Sequence, residues 1–191
     1  MSYSQEFQTV DLILQSNAET LGVDAFALSL IKAERQLRRL VTHLVFQFPC
    51  FGCSDITALR QALGDNQRVY FEGFEEGFDA IYPKAVKDLF GAQYVRLRPR
   101  LNEAIDFRNK IFHGQLTFAW LNRKDLLSYV ADIREWCQIL AESTLTEFRY
   151  DGFGRDSFRK SDAPGLVDRY KLNLADVAAY DHFIQQYMQR P

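Results

Sequence analysis

The feature that most constrains the fold is a long helical repeat of apolar residues that follows Asp24. Apolar side chains recur there at alternating spacings of four and three, which predicts one face of a long helix. The face consists of Phe26, Leu30, Ala33, Leu37, Leu40 and Leu44. Asp24 is a suitable N-cap, and Pro49 and Gly52 make continuation of the helix unfavourable. The sequence therefore predicts that this helix organises the core.

A second long helix is predicted after Asn122, which can cap its first turn. Its apolar face consists of Leu126, Val130, Ile133, Cys137 and Leu140. A shorter helix is predicted from Asp55 to Leu63, where Gly64 ends it. Another is predicted to start at Pro83 and end at Gly91.

An aromatic stripe lies between these shorter helices, at helical spacing. It consists of Phe71, Phe74, Phe78 and Tyr82. Such a row can stack nucleic-acid bases, but at helical spacing it more often packs in a core, and we favour the core. Gly73 and Gly77, four residues apart on the same helix, fit a close helix contact.

Strand patterns are scarce, and residues 68–72 and 116–120 are the short candidates. We predict an all-α bundle with two long antiparallel helices and shorter helices between them. Residues 1–150 are expected to form the domain, with a core of about 24–148. Residues 151–191 are expected to add a loop and a last helix, capped by Asn173, to the same domain.

Several classes of protein are disfavoured by the sequence. No window approaches the roughly 18 apolar residues that a membrane span needs, and the first residues lack the pattern of a signal peptide. The three cysteines, an odd number, favour a reducing cytoplasm. Cys50 and Cys53 form a single CxxC motif, and a zinc site would need further ligands, of which His43 and Cys137 are the candidates. Packing at a helix end is the favoured interpretation of this motif.

Positive charge is concentrated between residues 96 and 124, although the whole chain has a net charge of −2. This segment contains seven basic and two acidic residues, an excess of five positive charges. A local basic patch on an acidic protein favours a focused anionic ligand; a solvated charged face is the alternative. The later segment GRDSFRK interleaves basic residues with Phe158 and is either an RNA-contact loop or a solvated connection.

The segment DFRNKIFHGQ, residues 106–115, places a charge where apolar residues are expected. On a helical wheel, Arg108 falls in the middle of the cluster formed by Leu101, Ala104, Ile105 and Phe112. Asn109 and His113, four residues apart, stack on the flank of this cluster. Because an unpaired buried charge is very costly, Arg108 needs either a carboxylate or an open face. Glu34 on the first long helix is the candidate carboxylate, and a phosphate is the functional alternative.

Four residues separate Arg108 from His113. This spacing is weak evidence for a functional site, because Arg38 and His43 have the same spacing. The context differs, however. RNKIFHG resembles the signature of HEPN domains. In that signature an arginine and a histidine, separated by four to six residues, form the active site. The resemblance covers about residues 24–148, including the long helices on both sides of the signature.

The resemblance implies a metal-independent endoribonuclease that acts as a homodimer and needs no cofactor. If these roles are carried over to this chain, His113 would act as general acid and base, and Arg108 would stabilise the charge on the phosphoryl group. Asn109 would orient Arg108 or His113. Lys110 and Arg100 are the expected RNA contacts. The implied roles are those of a toxin or a phage-defence or stress effector, with an antitoxin or regulatory protein as a further partner.

Gln115 stands where many HEPN toxins with nucleotidyltransferase antitoxins carry a tyrosine, so pairing with such an antitoxin is not expected.

Two other interpretations remain open. The competing function is a non-catalytic helical module that binds a nucleotide or a partner protein. A zinc-stabilised scaffold is a third, weaker hypothesis.

Overall fold

The structure is a computed structural model that describes residues 3–66, 68–112 and 121–189. Within these ranges the chain is helical, and the only β-type pairing is an isolated bridge between Val69 and Gln189. The all-α prediction is therefore confirmed for the part of the chain that is described, while the strand candidate 116–120 lies outside it. The helices are α1 (Tyr3–Glu6), α2 (Gln8–Leu14), α3 (Leu21–Gln47), α4 (Ile56–Asp65), α5 (Phe71–Ile81), α6 (Val86–Phe90), α7 (Gln93–Phe112), α8 (Arg123–Phe148) and α9 (Val177–Phe183). Short 3₁₀ helices at Cys53–Asp55 and Val167–Arg169 and a π-helical turn at Ile184–Met188 complete the set.

The two long helices, α3 and α8, run parallel, so the antiparallel prediction is wrong. Residues near the start of α3 contact residues near the start of α8, and residues further along α3 contact residues further along α8. Arg123 donates to the Glu19 carbonyl at 3.2 Å just ahead of α3. Gln36 donates to the Cys137 carbonyl at 3.0 Å in the middle. Hydrophobic periodicity specifies a face but not a direction, which is why the sequence pattern did not reveal the orientation.

Helix α7 is the antiparallel neighbour of α8. Arg96, near the start of α7, pairs with Glu135 in the middle of α8. Phe107, near the end of α7, packs edge-to-face on Tyr129 closer to the start of α8, with ring centroids 5.6 Å apart. The end of α7 that carries the signature residues is therefore placed beside the first half of α8.

Several predicted helix boundaries need correction. Helix α3 starts at Leu21, after Thr20, and the Thr20 hydroxyl donates to the Asp24 carboxylate at 2.8 Å within the first turn. Helix α7 starts at Gln93, so Pro99 lies inside it rather than near its first turn. The last helix is capped by Asp176, which accepts from the Ala179 amide at 2.8 Å, and not by Asn173. Another side chain caps the first turn of α9, whereas the Thr20 side chain accepts no cap hydrogen bond in α3. Composition alone does not distinguish the possible helix starts.

Two further helix ends shift, while one predicted cap is confirmed. Helix α4 continues through Gly64 to Asp65. Helix α6 begins at Val86, three residues after Pro83, and ends before Gly91, which has a φ of 54°. Asn122 caps α8 as predicted, with its side chain accepting from the Asp125 amide at 3.1 Å.

The aromatic stripe of α5 is buried in the core, as favoured from the sequence. All four of its members are 9% exposed or less. Gly73 and Gly77 form the expected close contact, and their partner is Met188 in the C-terminal turn. A Cβ at Gly73 would overlap the Met188 carbonyl, so only glycine permits this approach. The C-terminal segment therefore docks directly on α5.

The segment after residue 150 shares the hydrophobic core of the earlier helices. Its buried members are Phe153, Leu166, Leu174, Tyr180, Phe183, Ile184 and Met188. Gln36 of α3 also donates to the Asp151 carbonyl at 3.0 Å, and Arg39 donates to the Phe153 carbonyl at 3.0 Å. The late loop is thereby held across α3. None of the helices within the described ranges has the length and apolar character that crossing a lipid bilayer requires.

Candidate functional site

Arg108 lies on the inward face of α7, where the helical wheel placed it. Leu101 and Ala104 on that face are buried, and Ile105 is half-buried. The Arg108 side chain is 18% exposed. A guanidinium in this position needs a partner, because burying an unpaired charge costs several kcal/mol.

Glu34 of α3 is that partner. The two terminal nitrogens of Arg108 donate to the two carboxylate oxygens of Glu34, at 2.9 and 2.7 Å. This bidentate geometry fixes the plane of the guanidinium as well as neutralising it. The ion-pair alternative derived from the sequence is therefore confirmed in its geometry. The pair is not sealed off, since the Glu34 side chain remains 28% exposed.

The pair lies in an open cleft of about 500 Å³ between α3, α5 and α7. Arg35 and Arg38 line the same cleft from α3. Three guanidinium groups therefore face one carboxylate, although Arg35 also contacts the buried carboxylate of Glu6 at 3.2 Å. The opposite wall is residues 69–71 and Phe74. The cleft has the charge and donor groups to hold an anion.

The Nε of Arg108 retains a donor that no described residue uses. It is buried and has no hydrogen-bond acceptor among residues 3–66, 68–112 and 121–189. The terminal nitrogens also each have a second hydrogen besides the one given to Glu34. Because Nε is buried, a phosphate oxygen in the cleft would be held through these outer hydrogens, without release of Glu34.

The other signature residues have different surroundings. Asn109 is exposed on α7 and Lys110 is half-buried in the last turn. His113, together with Gly114 and Gln115, lies outside the described residues, so its placement relative to Arg108 stays a prediction. Helix α7 is described as far as Phe112.

Within the described residues, four of the seven basic side chains of segment 96–124 form ion pairs, most of them with acids outside the segment. Arg98 pairs with Glu75 at 2.7 Å, in contact with α5. Arg100 donates to Asp132 at 2.9 Å and to Glu103 at 3.1 Å. Through these contacts the guanidinium groups join α7 to α5 and α8. The local charge excess in the sequence is therefore reduced in space, and the Arg100 donors are already directed at carboxylates.

His43, the histidine with the same spacing from an arginine, is a core residue. It is fully buried, and its ring centroid lies 4.4 Å from that of Tyr150. Its Nδ1 is 3.1 Å from the Ser157 carbonyl. Burial lowers the pKa of His43 to about 4, so it is neutral at pH 7. The arginine–histidine spacing at Arg38 and His43 therefore belongs to core packing.

The cysteines show no arrangement typical of a metal centre. Cys50 and Cys53 are exposed, and Cys137 is buried in the core. The Cys50 thiol donates to the Leu174 carbonyl at 3.0 Å. Across the described ranges, no group of three or more His, Cys, Asp or Glu side chains is close enough to hold a metal ion.

The sequence did not single out Arg35 and Arg38 as part of the cleft. A signal was available, since Glu34 and Arg38 are four residues apart and therefore share a face of α3. The wall at residues 69–74 could not be assigned in this way, because it depends on how α5 packs beside α3.

Comparison with known proteins identifies no relative of this chain, so the function has to be inferred from its residues. No protein-family model matches the chain, and neither the curated proteins nor the solved structures contain a match.

Proposed function

We propose that the chain is a metal-independent endoribonuclease of HEPN type. The observation that carries the proposal is the open cleft lined by Arg35, Arg38 and Arg108, near the end of the helix that precedes His113. An arginine in a fixed orientation in such a cleft is suited to stabilising charge on a phosphoryl group. The HEPN-like signature supplies the rest of the proposal.

The proposed reaction is attack of a ribose 2′-hydroxyl on the adjacent phosphorus, with release of the 5′-oxygen. His113 would remove the proton from the 2′-hydroxyl and return one to the leaving oxygen. Arg108 would bind the non-bridging oxygens as their negative charge grows. Asn109 would orient Arg108 or His113. The products would be a 2′,3′-cyclic phosphate and a 5′-hydroxyl.

Glu34 is a positioning residue in this proposal. Its two oxygens hold the end of the Arg108 guanidinium, leaving the outer hydrogens of the terminal nitrogens for substrate. Because the orientation is set before substrate arrives, little reorganisation is needed during the reaction.

The proposal includes a homodimer in which two copies of the signature face each other. Ile31 and Tyr70, at the rim of the Arg108 cleft, are 47% and 51% exposed. Exposed apolar and aromatic side chains beside a polar cleft are typical of a surface that receives a partner. A second copy of the chain would bring a second Arg108 and a second His113.

Of the two proposed RNA contacts, Lys110 is the stronger. A phosphate at Arg100 would have to compete with Asp132 and Glu103, which already accept from its guanidinium. The proposal extends to a toxin, phage-defence or stress role in the cytoplasm, with an antitoxin or regulatory protein as partner. That extension rests on the resemblance alone.

A non-catalytic module that binds a nucleotide or a partner protein is the second candidate. It is favoured by the same ion pair, because Glu34 already gives Arg108 a structural role. The two candidates differ in whether RNA is cut.

The test is incubation of a mixed RNA pool with pure protein in EDTA. Wild type is expected to cut the RNA, whereas Arg108→Ala and His113→Ala are not. His182→Ala, a substitution of the exposed histidine of α9, is the matched control and should cut like wild type. Tight nucleotide binding by all four proteins without any cleavage would instead establish the non-catalytic module.

A further inference from the structure

A second cleft of about 450 Å³ adjoins the first and is formed by α3, α4 and the late loop. Arg38 and Arg39 contribute from α3 and Arg60 from α4. Asp156, Ser157 and Phe158 of the loop form the remaining wall. The loop can do this because Arg39 and His43 hold its backbone at the Phe153 and Ser157 carbonyls.

Positive charge in this cleft is not neutralised as it is along α7. Within the described ranges, neither Arg38 nor Arg60 forms an ion pair. Arg39 donates to a carbonyl oxygen, which carries no formal charge. Among the described residues of the lining, Asp156 is the one acidic residue. Three guanidinium groups with one carboxylate leave a field that attracts an anion.

The cleft also offers a flat stacking surface. The Arg60 guanidinium carbon lies 4.9 Å from the centroid of the Phe158 ring. Phe158 is half-buried, and its ring is supported by an edge-to-face contact with Phe46 at 5.5 Å. Nucleic-acid bases stack on both aromatic rings and guanidinium planes. A ligand that combines phosphate with an unstacked base would use both features.

Arg38 connects the two clefts, because it lines both. It lies one turn after Glu34 on α3, about 6 Å further along the helix axis. A chain bound at the Arg108–Glu34 pair can therefore continue past Arg38 towards Arg60 and Phe158.

We infer that the Arg38–Arg39–Arg60–Phe158 cleft is a subsite for single-stranded RNA that flanks the cleavage site. The arginines contact the phosphate backbone, and Arg60 with Phe158 stacks one base. The inference rests on the proposed function, and it specifies the substrate as single-stranded, since the bases of a duplex are not free to stack on protein. It also gives the segment after residue 150 a role in binding.

The experiment measures binding of a short fluorescent single-stranded RNA by anisotropy, in EDTA, with His113→Ala as the parent protein. Arg60→Ala and Phe158→Ala should each weaken binding about tenfold, the usual range for loss of a stacked base. Phe158→Leu, which keeps the apolar packing on Phe46, should show the same loss. Lys87→Ala removes an exposed positive charge on α6, outside both clefts, and is the matched control that should bind like the parent.

Salt dependence separates the two kinds of contact. Arg60→Ala should lower the slope of log affinity against log salt by about 0.7, the contribution of one phosphate contact to a single strand. Phe158→Leu should leave the slope unchanged. Parent-like affinity in Arg60→Ala and Phe158→Leu would overturn the inference. Equal binding of polyglutamate, or equal competition by duplex RNA, would overturn it too.

The outcome is distinguishable from failure of the proposed function. If wild type cuts RNA, and the cleft variants bind like the His113→Ala parent and cut like wild type when made in the wild-type chain, only the subsite is wrong. If the variants lose binding while wild type cuts no RNA, the chain binds single strands at this cleft without being a nuclease.

Discussion

Arg108 of α7 and Glu34 of α3 form a bidentate ion pair, with both nitrogen–oxygen distances below 3 Å. The pair joins two helices and lines an open cleft. It therefore combines a structural role with an orientation suited to phosphate binding. The two roles can be separated experimentally, because stability and cleavage respond differently to conservative substitutions.

The first prediction concerns the stability of this pair. In a double-mutant cycle with Glu34→Gln and Arg108→Gln, we expect a coupling of about 1 kcal/mol, because both side chains are partly solvated. Urea unfolding measures it. As single substitutions, Glu75→Gln should cost more than Glu34→Gln, about 3 kcal/mol, because it leaves the more buried Arg98 without a carboxylate. An equal cost for both glutamates would contradict the assigned burial.

The second prediction concerns the geometry of Arg108. Arg108→Lys keeps the positive charge but cannot form a bidentate pair or present a planar set of donors. We expect it to lower kcat for RNA cleavage by about 100-fold, the usual effect of losing an oriented donor to a transition state. KM should change little. Wild-type kcat in Arg108→Lys would show that charge alone is sufficient.

Particular elements show what the sequence could and could not predict. The faces of α3 and α8 followed from spacing, and the misfit of Arg108 in an apolar stripe led to Glu34. The relative direction of the two helices did not follow, since a periodic pattern is the same in both directions. The acids that neutralise Arg98 and Arg100 were also invisible, because Glu75 and Asp132 are distant in sequence.

The second cleft was beyond sequence reasoning for a related reason. Arg60 and Phe158 are almost one hundred residues apart, and they meet only because the late loop folds over α3 and α4. The segment GRDSFRK was therefore equally compatible with an RNA contact and with a solvated connection. Tertiary packing gave the loop its position.

The third prediction tests the close contact between α5 and the C-terminal turn. Gly73→Ala would place a methyl group against the Met188 backbone, so we expect a loss of about 2–3 kcal/mol, as in other overpacked cores. Gly64→Ala is the matched control, because a Cβ there meets nothing within 4 Å. The control should gain about 0.5 kcal/mol from helix propensity. Hydrogen exchange should show earlier opening at Ile184–Met188 in Gly73→Ala alone.

The fourth prediction concerns His43 and acid stability. Burial is the largest cause of its low pKa of about 4, and Arg155 and Lys160 add to it. Because the folded pKa lies below the ordinary value of 6.5, the unfolded state binds the proton more readily. The contribution of His43 to stability is therefore complete above pH 6.5 and is lost as pH falls towards 4, by at most about 1.4 kcal/mol per pH unit.

Proton NMR of the histidine rings checks this directly. The His43 ring signals should stay constant from pH 7 to pH 5 in the folded protein. Titration of those signals near pH 6.5 would contradict the buried, neutral assignment.

The fifth prediction has the opposite sign and concerns Asp79. Burial raises the pKa of this carboxyl to about 6, even though it accepts from the Val86 amide at 2.6 Å. The folded state therefore binds the proton more readily than the unfolded state between about pH 4 and pH 6. Asp79→Asn should stabilise the protein at pH 7 by about 1 kcal/mol, and urea unfolding should show that the gain disappears near pH 4. An equal loss of stability at both pH values would argue against a destabilised carboxylate.

The central claim is that Arg108 and His113 cut RNA through the 2′-hydroxyl, and analysis of the product ends tests it most directly. Wild type in EDTA should leave 2′,3′-cyclic phosphate and 5′-hydroxyl ends, and His113→Ala should leave RNA uncut. Full cleavage by His113→Ala, cleavage that EDTA abolishes, or products with 5′-phosphate ends would contradict the account.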